Sequence, residues 1–163
     1  MRSSTIINPS NVKSQHVSLW WRLWAIFVVA VLFNYAWEMA QSPLYVGMSF
    51  SEVKVWWHCF KASLGDGLDV LLIFAVGWIL LGKQDWYEKP GFKGYALILV
   101  MGLAISIGIE LAAVYVLERW EYTEQMPLVP GLNIGITPVA QMVVLPAVTF
   151  RVVTEWRKAQ SRN

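Results

Sequence analysis

Four long apolar segments dominate the chain, and shorter polar stretches connect them. A helix needs about 20 mostly apolar residues to cross a bilayer. We therefore predict membrane spans over residues 19–40, 64–81, 95–117 and 134–153. The last span contains Pro138 and Pro146, which predicts a kink, because membrane helices tolerate proline when neighbours satisfy the freed carbonyls. The predicted fold class is all-α: a polytopic membrane protein with a bundle of four transmembrane helices.

The composition supports the same class. Of 163 residues, 56% are hydrophobic and 15% are charged, whereas a soluble domain has about 25% charged residues. We expect one bundle without a second domain, with a tail at 1–18, the transmembrane domain at 19–153 and a second tail at 154–163. The net charge of +2, carried in short connections, is not typical of a nucleic-acid-binding protein. A single cysteine, Cys59, excludes an internal disulfide.

The basic residues predict the orientation. Ten of the 13 lysines and arginines fall on the side of the two tails, and only Lys54, Lys61 and Arg119 fall on the other side. Cytoplasmic segments carry an excess of Lys and Arg, so both termini should be cytoplasmic in a plasma (inner) membrane. The outer connections would then be 41–63 and 118–133. We expect the second, which has two prolines and one glycine, to fold back over the mouth of the bundle.

The acidic residues are concentrated on the predicted outer side, which holds eight of the 11. Acidic residues contribute little to orientation, so this bias indicates a site. A rise of about 1.5 Å per residue places one polar residue of each helix about 8–11 Å below the outer interface. These are Asn34, Asp69, Glu110 and Gln141, with Glu38, Asp66 and Thr137 one turn nearer the surface.

Glu110 is the most informative of these residues. A carboxylate inside a membrane usually faces the protein interior and has a partner, and the helix around Glu110 has no counter-ion. We expect it to be neutral or to share a proton with Asp69, as suits acid–base chemistry. The candidate catalytic residues are Glu110, Asp69 and Glu38. The candidate substrate-binding residues are Asn34, Gln41, Asp66, Gln141, Trp37, Trp120 and Tyr122, the aromatic ones through their ring faces.

Structural roles remain open for several of these side chains. Glu38 could be a helix-end carboxylate that reaches water, and Asp66 could cap a helix. Gln141 could only join helices by hydrogen bonds. No metal and no cofactor are predicted, although His58 could add a ligand to the carboxylates for a hard metal. The few Lys and Arg residues on the outer side argue against a phosphorylated substrate.

Two short motifs resemble known membrane enzymes. Residues 34–38 have the pattern N-x-x-W-E, which is similar to a motif of the small integral-membrane terpene cyclases of fungi and actinobacteria. The resemblance implies that Glu38 protonates an epoxide or olefin with help from a second acid. Glu110 followed by "RWEYTEQMPLVPG" resembles membrane carotenoid-biosynthesis proteins, in which a buried Glu precedes an aromatic, Pro-rich outer segment. The whole chain also resembles small four-span bacterial membrane proteins, which implies no activity.

The expected function is an integral membrane enzyme with carboxylates in the outer half of the bilayer. It would cyclise, isomerise or hydrate an apolar lipid or isoprenoid, with Glu110 as the acid and Asp69 or Glu38 as the base. One alternative is a non-catalytic binding or accessory subunit, as an oligomer or in a larger membrane complex. Another is a small cation- or proton-coupled transporter, although no inverted repeat is visible.

Overall fold

The computed structural model describes residues 18–162, which form a bundle of four helices. The helices are α1 (Leu19–Gln41), α2 (Val53–Leu81), α3 (Gly91–Leu111) and α4 (Ile136–Gln160). All four are long and apolar enough to cross a membrane, and the described residues contain no strand. The prediction of an all-α, four-span polytopic membrane protein is confirmed. Residues 1–17 and 163, which belong to the predicted tails, lie outside the described part of the chain.

The helices pack in sequence order and α4 closes the ring against α1. The core is built from the apolar side chains that this arrangement turns inward, among them Ile26, Ile73, Phe74, Phe150 and Val153. Many large apolar side chains face outward instead, such as Leu32, Ile79 and Val100. This exposure is expected when the solvent around the bundle is lipid, because the outer surface then needs no polar cover.

Glycine and proline mark several helix ends. Pro43 follows the end of α1, consistent with the steric restriction that proline places on the preceding residue. Gly82 ends α2 in the left-handed region, with φ of 71°, and its N–H reaches the Trp78 carbonyl at 2.9 Å. Pro138 lies in the first turn of α4, where a proline breaks no helical hydrogen bond. Only Pro146 lies inside α4, so the predicted pair of helix-interrupting prolines is reduced to one.

A partly buried ion-pair cluster joins three elements at the end of the bundle where α1 begins and α4 ends, here called the terminal end. Glu88, in the α2–α3 connection, accepts a hydrogen bond from Arg22 of α1 at 3.3 Å and another from Arg157 of α4. Trp86, from the same connection, enters the core and donates to the Phe74 carbonyl at 3.1 Å. These contacts bring both ends of the described chain and the α2–α3 connection together.

Two predicted boundaries differ from the structure at sites that matter for function. Helix α2 begins at Val53, not at 64, so the connection between α1 and α2 is much shorter than the predicted 41–63. Its extra turns contain charged and exposed residues such as Lys54 and Lys61. These residues interrupt the apolar run, so the hydropathy pattern does not indicate a helix there. Helix α4 continues to Gln160, past the predicted tail boundary at 153, with Arg157 and Lys158 in its last turn.

Candidate functional site

A cavity of about 390 Å³ opens at the end of the bundle opposite the terminal end, here called the cavity end. Four carboxyl groups line it: Glu38, Asp66, Asp69 and Glu110. They come from α1, α2 and α3, so no single helix makes the site. The side chains of Met48, Ile109 and Met142 add apolar wall. The cavity therefore combines several proton-carrying groups with surface that suits an apolar ligand.

Gln141 of α4 is the centre of a hydrogen-bond network behind the cavity. Its amide nitrogen donates to Asn34 Oδ1 at 2.8 Å and to Asp66 Oδ2 at 3.0 Å. Its amide oxygen accepts from Gln41 Nε2 at 2.9 Å, and the same Gln41 nitrogen donates to Glu38 Oε1 at 2.9 Å. Asn34 is fully buried and Gln141 is 2% exposed. The network fixes α1, α2 and α4 to each other and holds two of the four carboxyl groups.

Glu110 has a separate partner. Its side chain is buried, at 4% exposure, and its Oε2 atom accepts a hydrogen bond from the hydroxyl of Tyr122. Tyr122 belongs to the connection between α3 and α4 and not to a helix. Because its hydroxyl is uncharged, it satisfies one oxygen of Glu110 without supplying a counter-ion.

The backbone beyond α3 turns this connection back over the cavity. Helix α3 continues as a π-helical turn, Ala112–Val116, in which Leu117 N–H reaches the Ala112 carbonyl at 2.8 Å. Such turns are rare and occur often at functional sites. Glu118 follows with a φ of 47°, in the left-handed region that few residues other than glycine adopt. The chain direction therefore changes within a few residues of Glu110.

Backbone pairing then holds the connection in place. Val46 N–H donates to the Glu121 carbonyl at 3.0 Å, and Thr123 N–H donates to the Leu44 carbonyl at 2.9 Å. Tyr45 and Tyr122 face each other across this short antiparallel bridge, with ring centroids 5.6 Å apart. The prediction that 118–133 folds back over the mouth of the bundle is thus confirmed, and the segment after α1 is its partner.

Trp120 adds a donor beside the Glu110–Tyr122 pair. Its side chain lines the cavity, and its buried indole N–H faces this pair without a hydrogen bond of ordinary geometry to any of residues 18–162. An oxygen atom of a ligand in the cavity would be a suitable acceptor for this N–H group.

Burial raises the pKa of two tyrosines at this end. The pKa of Tyr122 lies well above its usual value because the ring is withdrawn from water and because its hydroxyl donates to Glu110. Burial likewise raises the pKa of Tyr45, and the nearby acidic side chains raise it further. Both phenols therefore remain protonated donors throughout the physiological pH range.

The structure brings most of the predicted site residues together. Six line the cavity directly: Glu38, Asp66, Asp69, Glu110, Trp120 and Gln141. Three others contact a lining residue through hydrogen bonds: Asn34, Gln41 and Tyr122. Trp37, a predicted substrate-binding residue, is not part of the cavity lining.

The hydrogen bonds do not follow the predicted depth tiers. Gln141 bonds to Asp66, the residue placed in the shallower tier, whereas Asp69 makes no side-chain hydrogen bond within 18–162. Glu110 pairs with the loop residue Tyr122 and not with a residue of equal depth. The count along α2 used residue 64 as the helix start and contained no information about which way each side chain points.

Sequence reasoning missed the basic side chains of the cavity. Lys61 and Arg119 line it together with His58, which was considered only as a metal ligand. Lys61 lies one turn from His58, and both belong to the part of α2 that the hydropathy pattern predicts as a connection. The periodicity of 58, 61 or 62, 65 or 66, and 69 on one helix face is the signal that could have identified them.

Within 18–162, no group of three His, Cys, Asp or Glu side chains converges closely enough to hold a metal ion. Comparisons of the chain with models of protein families, with curated proteins and with solved structures found no match.

Proposed function

We propose that this protein is an integral membrane enzyme that performs acid–base chemistry on an apolar lipid or isoprenoid. The observation that carries the proposal is the convergence of four carboxyl groups on one cavity that also has apolar walls. Carboxyl groups in different surroundings can hold protons with different strength, which allows one to act as an acid and another as a base. Cyclisation, isomerisation and hydration each need such a pair.

Glu110 is the proposed acid. The Tyr122 hydroxyl occupies its Oε2 atom, so the other oxygen can carry the transferred proton. Transfer of that proton to an alkene or epoxide breaks the Glu110 O–H bond, forms a new C–H or O–H bond and leaves a positive charge on the substrate. The face of the Trp120 ring, which lines the cavity, would stabilise that charge.

Asp69 or Glu38 is the proposed base. The base removes a proton from the cationic intermediate, or from a water molecule that adds to it, and the product is then neutral. Asp69 lines the cavity without a side-chain hydrogen bond to residues 18–162, whereas Glu38 is held by Gln41. An unengaged carboxylate is the freer proton acceptor, which favours Asp69.

The proposal includes the orientation of the bundle. Both termini would lie in the cytoplasm of a cell with the protein in its plasma membrane, and the cavity would open on the extracytoplasmic side. The excess of basic residues at the terminal end supports this assignment. A substrate would then enter from the outer leaflet.

A non-catalytic role is the second candidate, as an accessory subunit that binds a lipid or a partner helix. It is favoured by the Gln41–Gln141–Asn34 chain, in which two hydrogen bonds join amide side chains of α1 and α4. Such interhelical bonds hold membrane helices together without any chemistry. The two candidates differ in whether a lipid is chemically changed.

The test compares lipids extracted from membranes that contain the wild-type protein, Glu110→Gln or no protein. Glutamine keeps the shape of Glu110 and can still accept from Tyr122, so the variant should fold and yet lack the proton. Glu124→Gln is the matched control, because Glu124 is an exposed acid in the connection between α3 and α4 and does not line this cavity. We expect one product that is present with wild type and Glu124→Gln, and absent with Glu110→Gln.

Incubation of the isolated membranes in heavy water strengthens the test, because deuterium then enters only through reactions that occur after the membranes are prepared. If Glu110 protonates carbon, mass spectrometry should find deuterium at one carbon of the product. Product formation by Glu110→Gln at the wild-type level would refute the mechanism. Identical lipid profiles with and without the wild-type protein would instead support the accessory role.

A further inference from the structure

Three basic side chains meet at the mouth of the cavity. His58 and Lys61 lie one turn apart on α2, and Arg119 lies in the connection after α3. All three are exposed, unlike Glu110 deeper in the same cavity. They form a group that we call the basic rim: His58, Lys61 and Arg119.

The two permanent charges of the basic rim are not neutralised by acidic side chains. Within residues 18–162, neither Lys61 nor Arg119 makes a salt bridge, although four carboxyl groups line the same cavity. Lys54, the other basic residue at this end, is paired with Glu52 at 2.5 Å. The cavity thus keeps its positive and negative groups apart.

Helix α2 shows how this separation arises. His58, Lys61, Asp66 and Asp69 all line the cavity, so they lie on one face of the helix. Lys61 and Asp66 are five residues apart, which is about 7.5 Å along the axis. The basic groups therefore lie towards the helix start and the acidic groups lie deeper in the bundle.

The chemistry of the basic rim defines its ligand. Lys and Arg side chains are hydrogen-bond donors with no acceptor atom, and both carry a positive charge. The planar Arg guanidinium also matches two oxygens of a phosphate or carboxylate. The Arg119 guanidinium lies 6.0 Å from the centroid of the Trp120 ring, a distance suited to a cation–π contact that would hold it at the cavity.

We propose that Lys61 and Arg119, assisted by His58, bind an anionic group of the lipid substrate, a phosphate or a carboxylate. This inference rests on the proposed function, because it places the apolar part of the same molecule against the carboxyl groups deeper in the cavity. It revises the sequence argument against a phosphorylated substrate. Basic residues are indeed few at this end, but two of the three line one cavity.

The test measures binding to the full-length protein in detergent micelles by titration calorimetry. The probes are a prenyl monophosphate of 15 carbons, the alcohol of the same chain, and inorganic phosphate. We expect the prenyl phosphate to bind at least about tenfold more tightly than the alcohol, since a charged hydrogen bond contributes about that factor or more. Lys61→Gln and Arg119→Gln should each weaken the binding of the prenyl phosphate about tenfold. Their affinity for the alcohol should stay at the wild-type value.

Lys54→Gln is the matched control, because Lys54 lies on the same helix but outside the cavity lining. It should bind all probes as the wild type does. Equal affinity of the wild type for the prenyl phosphate and the alcohol would overturn the inference, as would full binding by both rim variants. If inorganic phosphate binds as tightly as the prenyl phosphate, the claim that the bound anion belongs to a lipid is overturned.

The same titration, together with the lipid comparison of Glu110→Gln, separates this inference from the proposed function. Glu110→Gln should still prefer the prenyl phosphate, because Glu110 is not part of the basic rim. If that variant keeps its activity and its preference, the mechanism fails while the basic rim stands. If it loses activity and the wild type shows no preference, the basic rim fails while the mechanism stands.

Discussion

The contact between α3 and α4 at Gly102 gives the sharpest prediction about the fold. A Cβ atom added at Gly102 would collide with the backbone carbonyl of Met142, which cannot move aside as a flexible side chain would. A Cβ atom at Gly108, two turns along the same helix, would meet nothing within 4 Å. Gly102→Ala and Gly108→Ala therefore make the same chemical change in one helix with opposite steric consequences.

The magnitude follows from two opposing effects. Replacing glycine by alanine inside a helix stabilises it by about 0.8–1.0 kcal/mol through backbone propensity. Forcing an extra carbon into a closely packed interface costs about 1–3 kcal/mol. Because the propensity gain is common to both variants, it cancels in their difference. Gly102→Ala should thus be less stable than Gly108→Ala by about 1–3 kcal/mol.

Reversible unfolding in mixed detergent and dodecyl sulfate micelles, followed by far-ultraviolet circular dichroism, measures this difference. Gly108→Ala should match or exceed the wild type in free energy of unfolding, and Gly102→Ala should fall below Gly108→Ala. Equal stability of the two variants would show that α3 and α4 are not in backbone contact at this point. The relative placement of Glu110 and Gln141, which these two helices carry, would then be wrong as well.

Two further predictions concern the terminal end and the Tyr122 hydroxyl. Glu88→Gln should lower the free energy of unfolding by about 3 kcal/mol, because the substitution leaves Arg22 and Arg157 partly buried without a carboxylate. Glu155→Gln removes an exposed ion pair and should change the free energy of unfolding little in the same assay. The raised pKa of Tyr122 means that its contribution to stability should be complete below about pH 10, the usual tyrosine value, and lost as the pH rises through the higher folded value. Spectrophotometric titration should accordingly find the same number of tyrosines ionising near pH 10 in folded wild type and folded Tyr122→Phe, and one fewer in the variant would contradict the reasoning.

The four spans were predictable because the bilayer imposes them. Lipid offers no hydrogen bonds to the backbone, so a crossing segment must be helical and mostly apolar over a fixed length. Each span can therefore be identified in the sequence as a long segment of high hydropathy. It applies only to residues that face lipid, which is why the first turns of α2, with His58 and Lys61 facing a polar cavity, were read as a loop.

The candidate site was predictable only in part. The sequence determines how deep a side chain lies along its helix, but not which neighbouring helix the side chain faces. The rise per residue fixes how deep a side chain lies, and Asn34 and Gln141, predicted at equal depth, are indeed bonded. The rotation of each helix about its axis is set by packing between helices, which no periodicity of one helix reveals. Gln141 therefore bonds to Asp66, which the count placed one turn nearer the surface than Gln141.

The hydrogen-bond partner of Glu110 was not predictable because the connections between helices determine its position. Tyr122 reaches Glu110 because the π-helical turn after α3 redirects the chain and because residues 44–46 pair with residues 121–123. Both features belong to connections, on which the bilayer imposes no regular structure. A buried acid whose hydrogen-bond partner is held by a loop depends on that loop for this bond. The bundle supplies the carboxyl groups of this cavity, and the pairing of the two connections at the cavity end places the Tyr122 hydroxyl against Glu110.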